Sequence, residues 1–209
     1  SNKVPCYTPV GDAQAALAGA LLTTAELSLN ISTGSQASRL CDALTLGDYQ
    51  TRPFFDGKFI NTFTYTPAGR SLDVLVGLLT ELAAAQKISL EDSWAYIGEE
   101  ARKVADTDLE VDLNFFPGPG QDQGTISNIR GDNLNIGHLF RAAFKNMAQS
   151  YYECACRLWP ERSWKNILFS GGLACKLEAL REAIQKRFQT DYRLSPFAED
   201  TLYGLLILA

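Results

Sequence analysis

Hydroxyl and glycine residues cluster at Asn30-Ile31-Ser32-Thr33-Gly34-Ser35, between two runs in which apolar and polar residues alternate. Leu27, Leu29 and Ile31 alternate with Ser28, Asn30 and Ser32, and Ala37 and Leu40 follow the polar turn. A period of two predicts strands on both sides of Ser32 to Ser35, which makes these residues a hairpin tip. Such a tip has no bulky side chain, carries hydroxyl donors and can turn backbone N–H groups around an anion such as phosphate. The same residues also suit an ordinary polar turn. Further on, Asn166-Ile167-Leu168-Phe169 reads as a short apolar strand, Ser170-Gly171-Gly172 as a tight turn and Leu173 to Phe188 as a helix. Strand, glycine pair and helix let a nucleotide lie on the helix N-terminus, although the spacing is neither that of a Walker loop nor GxGxxG. Gly69, after Pro67-Ala68, opens another helix, where it permits close approach of a ligand or simply turns strand into helix. Asp12, after Gly11, stands at or just before the start of a small-residue helix, either as its N-cap or as a functional carboxylate.

The elements that position these residues are an α/β set. Thr24 to Thr66 is mostly β and antiparallel, with Asp56-Gly57 between apolar flanks as a second hairpin turn. Leu72, Leu75, Val76, Leu79, Leu82 and Ala83 give an amphipathic helix from about Gly69 to Gln86. A second helix covers Ser89 to Val104, with Ser89 as N-cap and Asp92 three residues on. Leu109 to Phe116 alternates as a strand, and Pro117-Gly118-Pro119-Gly120 is a rigid loop leading to Gly124-Thr125-Ile126-Ser127, a surface insertion or flap. Leu139, Phe140, Ala143, Phe144, Met147 and Tyr151 mark a long central helix ending near Trp159-Pro160. The sole histidine, His138, opens that helix without metal-ligand or nucleophile partners and is read as structural. Tyr192-Arg193-Leu194 is a strand, Ser195 to Asp200 a polar loop, and Thr201 to Ala209 a helix apolar on all sides, expected to be buried.

Composition narrows the function. The 209 residues, 46% hydrophobic, suffice for a real core, and a net charge of −5 without a basic stripe argues against nucleic-acid or anionic-membrane partners. Five cysteines without CxxC spacing fit a reduced, cytoplasmic protein, and no apolar run is long enough to span a bilayer. The chain opens abruptly on Val4-Pro5-Cys6-Tyr7-Thr8-Pro9-Val10, an extended stretch that runs straight into Gly11-Asp12, as in a piece of a longer protein.

Taken together, Gly11-Asp12-Ala13-Gln14-Ala15-Ala16, Asn30-Ile31-Ser32-Thr33-Gly34-Ser35, Ser170-Gly171-Gly172-Leu173 and Glu199-Asp200-Thr201-Leu202-Tyr203-Gly204 resemble the C-terminal half of the FGGY carbohydrate kinases, in order and spacing over essentially all of residues 1–209. The Leu29 to Thr33 run and Phe55-Asp56-Gly57-Lys58 look most like the sedoheptulokinase branch. The resemblance implies an α/β, actin-like, ribonuclease H-type ATPase lobe with a mixed sheet flanked by helices. Its partner would be an N-terminal lobe absent from this chain, with sugar and ATP meeting in the cleft between the two.

By that resemblance Asp12 takes the proton from the attacking sugar hydroxyl, a role a carboxylate in hydrogen-bond reach of an alcohol can fill. Thr33, Gly34 and Ser35 hold the terminal phosphates of ATP, Gly69 touches the nucleotide, and Gly171 and Gly172 lie against the adenosine. Asp73 falls where glycerol kinase has glutamine. Lys176 stands where family members often carry asparagine near the adenine, which bears on nucleotide preference, and Ala13 replaces a glutamine of glycerol kinase, which argues against glycerol. The cofactors implied are ATP and the Mg²⁺ it carries, with no metal held by the lobe itself. The expected activity is phosphoryl transfer to a ketose, sedoheptulose-like, with the isolated lobe inactive and prone to form a homodimer through its uncovered face. The alternatives are a kinase for ribulose, xylulose or another polyol, and a non-catalytic actin-like nucleotide-binding module.

Overall fold

The computed structural model of the protein describes residues 6–64, 66–116 and 123–209. The alternation around the glycine turn folds as expected: β1 (Glu26–Ile31) and β2 (Ser35–Cys41) form an antiparallel hairpin. β3 (Gln50–Pro53) and β4 (Phe59–Phe63) form another. Its turn places Asp56 at φ 54° and Gly57 at φ 72°, a left-handed pair that Asp and Gly tolerate and other residues resist. β7 (Asn166–Ser170) runs parallel to β1, and β8 (Asp191–Leu194) parallel to β7. The result is a mixed six-stranded sheet of order β3-β4-β2-β1-β7-β8.

Each face of the sheet is set by the period of two. Leu27, Leu29, Ile31, Ile167 and Phe169 point to one side, against Phe140, Phe144, Met147 and Tyr151 of the central helix α4 (Ile136–Leu158). Leu40, Ile60 and Leu168 point to the other, against Leu17 and Ala20 at helix α1 (Asp12–Gly19) and its end. Burying each large side chain is worth about 1.5–3 kcal/mol, so the two clusters fix the register of the strands between them. A paired charge adds to this. The Arg193 guanidinium grips Glu26 with Nε–Oε1 2.6 Å and Nη2–Oε2 2.8 Å, tying the start of β1 to β8. Burial opposes ionisation of Glu26, but the bonds from Arg193 and Thr23 outweigh it and hold the carboxyl below its ordinary range.

Helix α2 (Gly69–Ala85) matches the predicted span, whereas α3 (Ser93–Lys103) begins later than the sequence suggests. Lys87 adopts φ 56° and Ile88 N–H closes on Ala83 O at 2.8 Å, so residues around Ser89 complete the end of α2. Asp92, not Ser89, caps α3 by accepting from Trp94 and Ala95 N–H, each at 3.1 Å. The predicted strand 109–116 is reduced to β5 (Glu110–Asp112), paired with β6 (Thr125–Ser127) in a separate two-stranded sheet. It stops because side chains take over its backbone: Leu113 N–H bonds Asn146 Oδ1 and Asn114 N–H bonds Asp112 Oδ1. Nor is this pair only a surface flap, since Leu109, Val111 and Leu113 are buried in the main core. The Pro117 to Gly120 loop and the opening Val4-Pro5 lie outside the described residues.

The single helix predicted over 173–188 is two helices, α5 (Gly172–Lys176) and α6 (Glu178–Phe188). Leu177 between them has φ −96° and ψ 92°, and Arg181 Nη1 satisfies the released carbonyls of Ala174 and Cys175 at 2.6 and 2.8 Å. The largest departure is α7 (Asp200–Leu208), expected to be buried. Its Leu202 and Leu206 are 59% and 74% exposed. It meets α1 backbone to backbone at Gly204 and Gly19, and among the described residues little else covers its remaining faces. Among the described residues no helix is long and apolar enough to cross a membrane.

Candidate functional site

Ser32, directly after β1, joins three segments. Its amide donates to Gly34 O at 2.8 Å and closes the hairpin tip. Its carbonyl accepts Gly69 N–H at 2.9 Å, and Thr33 O accepts Arg70 N–H at 3.0 Å, so the first turn of α2 is docked on the tip. Its hydroxyl accepts Gly172 N–H at 3.2 Å, which holds the start of α5 against the same tip. The carboxyl ends of parallel β1 and β7 thus meet two helix starts, the place where open α/β sheets present ligand sites.

Glycine makes these approaches feasible. A Cβ on Gly69 would stand 2.6 Å from Ser32 O, and one on Gly171, which has φ +86°, would stand 2.5 Å from Ile31 O. Gly34 and Gly172 differ: a Cβ there would meet nothing within 4 Å and only Ser32 Oγ at 4.0 Å, respectively, so backbone at both is open to a bulky group. Two further side chains brace the start of α2. Ser35 Oγ donates to Thr66 O at 3.0 Å, and the buried Tyr151 hydroxyl of α4 donates to Pro67 O at 2.6 Å. Burial pushes the Tyr151 phenol well above its ordinary pKa, so it remains a donor at any physiological pH.

These contacts enclose a cleft of about 230 Å³. The structure brings together five of the predicted residues in its walls: Thr33, Gly69, Asp73, Gly172 and Lys176. Asp73 and Lys176 are exposed and of opposite charge, one on each wall. Gly34 is exposed in the tip, Gly171 supplies backbone beneath α5, and Ser35 turns its hydroxyl away into the Thr66–Pro67 segment. Asp12 is not in the cleft wall. It is exposed at the first position of α1, on the other face of the sheet, and its carboxylate accepts the neighbouring Ala13 N–H at 2.7 Å. Gly11 occupies the N-cap, so Asp12 is not the helix cap. Its neighbours Ala13 and Gln14 line a shallow pocket with Gln36 and Thr64, which puts Asp12 at the tip end of the sheet.

Four participants escaped sequence reasoning: Ser32 as the hub, Tyr151 as a brace, and Trp94 and Leu177 as an apolar part of the cleft wall. Ser32 lay within the quoted motif, but its bonds reach residues 69 and 172; Trp94 sits on a helix that carried no chemical signal. His138 donates to or accepts from Thr107 Oγ1 at 2.9 Å, in keeping with a structural role. No cluster of three or more His, Cys, Asp or Glu among the described residues could hold a metal ion.

No protein-family model matches the sequence, and no curated protein matches it. Solved structures do. Xylulose kinase from Rhodospirillum rubrum superposes with a TM-score of 0.77 at 15% identity, over 96% of this chain and 41% of that one. Glycerol kinase from Plasmodium falciparum, solved with ADP, gives 0.76 at 16% identity, again over 96% and 41%. The fold is that of one actin-like lobe of a sugar kinase. A more distant match is component A of the (R)-2-hydroxyglutaryl-CoA dehydratase of Acidaminococcus fermentans, at 0.56 and 13% identity over 95% of this chain and 67% of that one. The chain spans about two fifths of the length of the two kinases.

Proposed function

We propose that the chain is the nucleotide-binding, C-terminal lobe of an FGGY-type, ATP-dependent carbohydrate kinase. The observation that carries this reading is the cleft at the ends of β1 and β7, where Thr33, Gly69, Asp73, Gly172 and Lys176 converge around Ser32. Its backbone is open at Gly34 and Gly172, which is room for a phosphate chain and a ribose. ATP would be held there with its Mg²⁺; the bound nucleotide supplies the transferable phosphoryl group. Thr33 and the tip amides would position the terminal phosphates, and Gly171-Gly172 and Lys176 would face the nucleoside. Asp12 would accept the proton of the sugar hydroxyl from the α1 side of the same sheet end, with the sugar read mainly by the N-terminal lobe of the longer protein. The motif resemblance favours a seven-carbon ketose as acceptor; the xylulose kinase neighbour supports a five-carbon ketose as the second reading.

A non-catalytic nucleotide-binding module is the competing class, and one observation favours it: Asp12 lies outside the cleft with its carboxylate on its own neighbour's amide. ADP release by the full-length protein, with MgATP and a panel of ketoses and polyols, separates the three. Asp12→Asn should lower kcat by at least about a hundredfold while leaving ATP binding intact. Unchanged turnover would remove Asp12 from the reaction.

A further inference from the structure

The cleft has two chemically different ends. α5 crosses it: Gly172 at one end is bonded to Ser32, and Leu177 just beyond the other lies beside α3, its Cδ2 3.6 Å from where a Gly98 Cβ would be. At about 1.5 Å of rise per residue, the five residues of α5 separate the ends by roughly 7 Å. At the Gly172 end stand Ser32, whose hydroxyl meets the Gly172 amide, Thr33 and the open backbone of the tip, all polar. Toward the Leu177 end the lining turns apolar: Leu173 and Leu177, four residues apart and so on one side of the α5 turn, and Trp94 of α3.

Trp94 is unusual among the three tryptophans of the chain. Trp159 and Trp164 are 5% and 8% exposed and pack on each other, whereas Trp94 is half-buried and lines the cleft. Its position is fixed from two sides. The Asp92 carboxylate holds its amide at 3.1 Å, and its ring meets Phe140 edge-on at 6.4 Å between centroids and 75° between planes. A partly exposed aromatic residue held from two sides and lining a cleft together with two leucines suits a flat, apolar-faced group.

We propose that Trp94 is the platform for the nucleobase, which lies between its indole and the Leu173–Leu177 side of the cleft. This rests on the nucleotide reading above and adds to it the side chain on which the base stacks. Lys176 stands at the base end and can only donate hydrogen bonds, so it meets the acceptor atoms of the base edge.

The test uses the full-length protein with MgATP, by calorimetry and by tryptophan fluorescence with acrylamide quenching. Trp94→Phe keeps a ring against Phe140 and should bind MgATP, but should lose the fluorescence change and the shielding from acrylamide that MgATP produces in the wild type. Trp94→Ala should weaken MgATP binding about tenfold or more, the scale of base–aromatic stacking. If Trp94→Ala does not fold, the fluorescence of Trp94→Phe decides alone. Wild-type affinity in Trp94→Ala, with an unchanged fluorescence response in Trp94→Phe, overturns the platform and leaves the nucleotide cleft standing. No MgATP binding by the wild type overturns both.

Discussion

Replacing Gly69 by alanine tests how the cleft is built. The added Cβ would stand 2.6 Å from Ser32 O, 3.3 Å from Ser32 C and 3.4 Å from Thr33 Cα, all backbone atoms of the hairpin tip. None is the end of a flexible side chain, so tip and helix must separate. The Gly69 N–H bond to Ser32 O and the Arg70 N–H bond to Thr33 O lengthen with them. Overpacking of this kind costs about 1–3 kcal/mol, and a weakened backbone bond about 1 more. The reduced freedom of alanine in the unfolded chain returns about 0.4–1 kcal/mol. The net loss is roughly 1–3 kcal/mol, a fall in Tm of about 2–12 °C for a domain this size. Gly34→Ala is the control: its Cβ meets nothing within 4 Å and its φ is not positive, so its stability should change by less than about 0.5 kcal/mol. Thermal melts followed by ATP titration read both. Gly69→Ala should lose stability and ATP affinity together, whereas Gly34→Ala should lose affinity alone. Equal melting temperatures for Gly69→Ala and wild type would refute the account of Ser32 as the hub of the cleft.

Two further substitutions probe the frame around it. Glu26→Gln removes the charge that Arg193 grips and should destabilise the fold by about 1–3 kcal/mol at neutral pH. Because the folded Glu26 carboxyl lies below its ordinary range, its contribution is complete above that range and is lost as pH falls through the folded value. Denaturant melts of wild type and variant should therefore converge on acidification, and a gap that persists there would rule out ionisation as its origin. Gly204→Ala places a Cβ 1.8 Å from Ala15 O and must push α7 off α1. A loss of about 1–3 kcal/mol, with faster hydrogen exchange in α7, is the expected outcome; an unshifted melt would show that the two helices are free to slide.

What the sequence made legible, and what it did not, follows the range of the interaction. The hairpins were legible because strand period and turn chemistry are local: Leu27, Leu29 and Ile31 alternate, and Asp56-Gly57 accepts the left-handed turn. Among the five predicted residues in the cleft wall, Thr33, Gly69 and Gly172 sit at the hairpin tip or a helix start that local pattern could locate, whereas Asp73 and Lys176 came from the resemblance. Errors arose where a side chain takes over a backbone group. The break at Leu177 depends on Arg181 reaching back to Ala174 and Cys175, and β5 ends where Asn146, on another helix, takes the Leu113 amide. α7 marks the limit most clearly. Its all-round apolarity states that its surface favours cover, but hydropathy does not say which chain supplies it. Leu202, Leu205, Leu206 and Ile207 are between 42% and 74% exposed, so the described residues do not supply that cover. The α1–α7 pair that leaves this face open also carries Asp12 at its tip end. The uncovered face and the proposed base thus sit on one closely packed helix pair, so whatever covers α7 packs on the neighbour of the helix that carries Asp12.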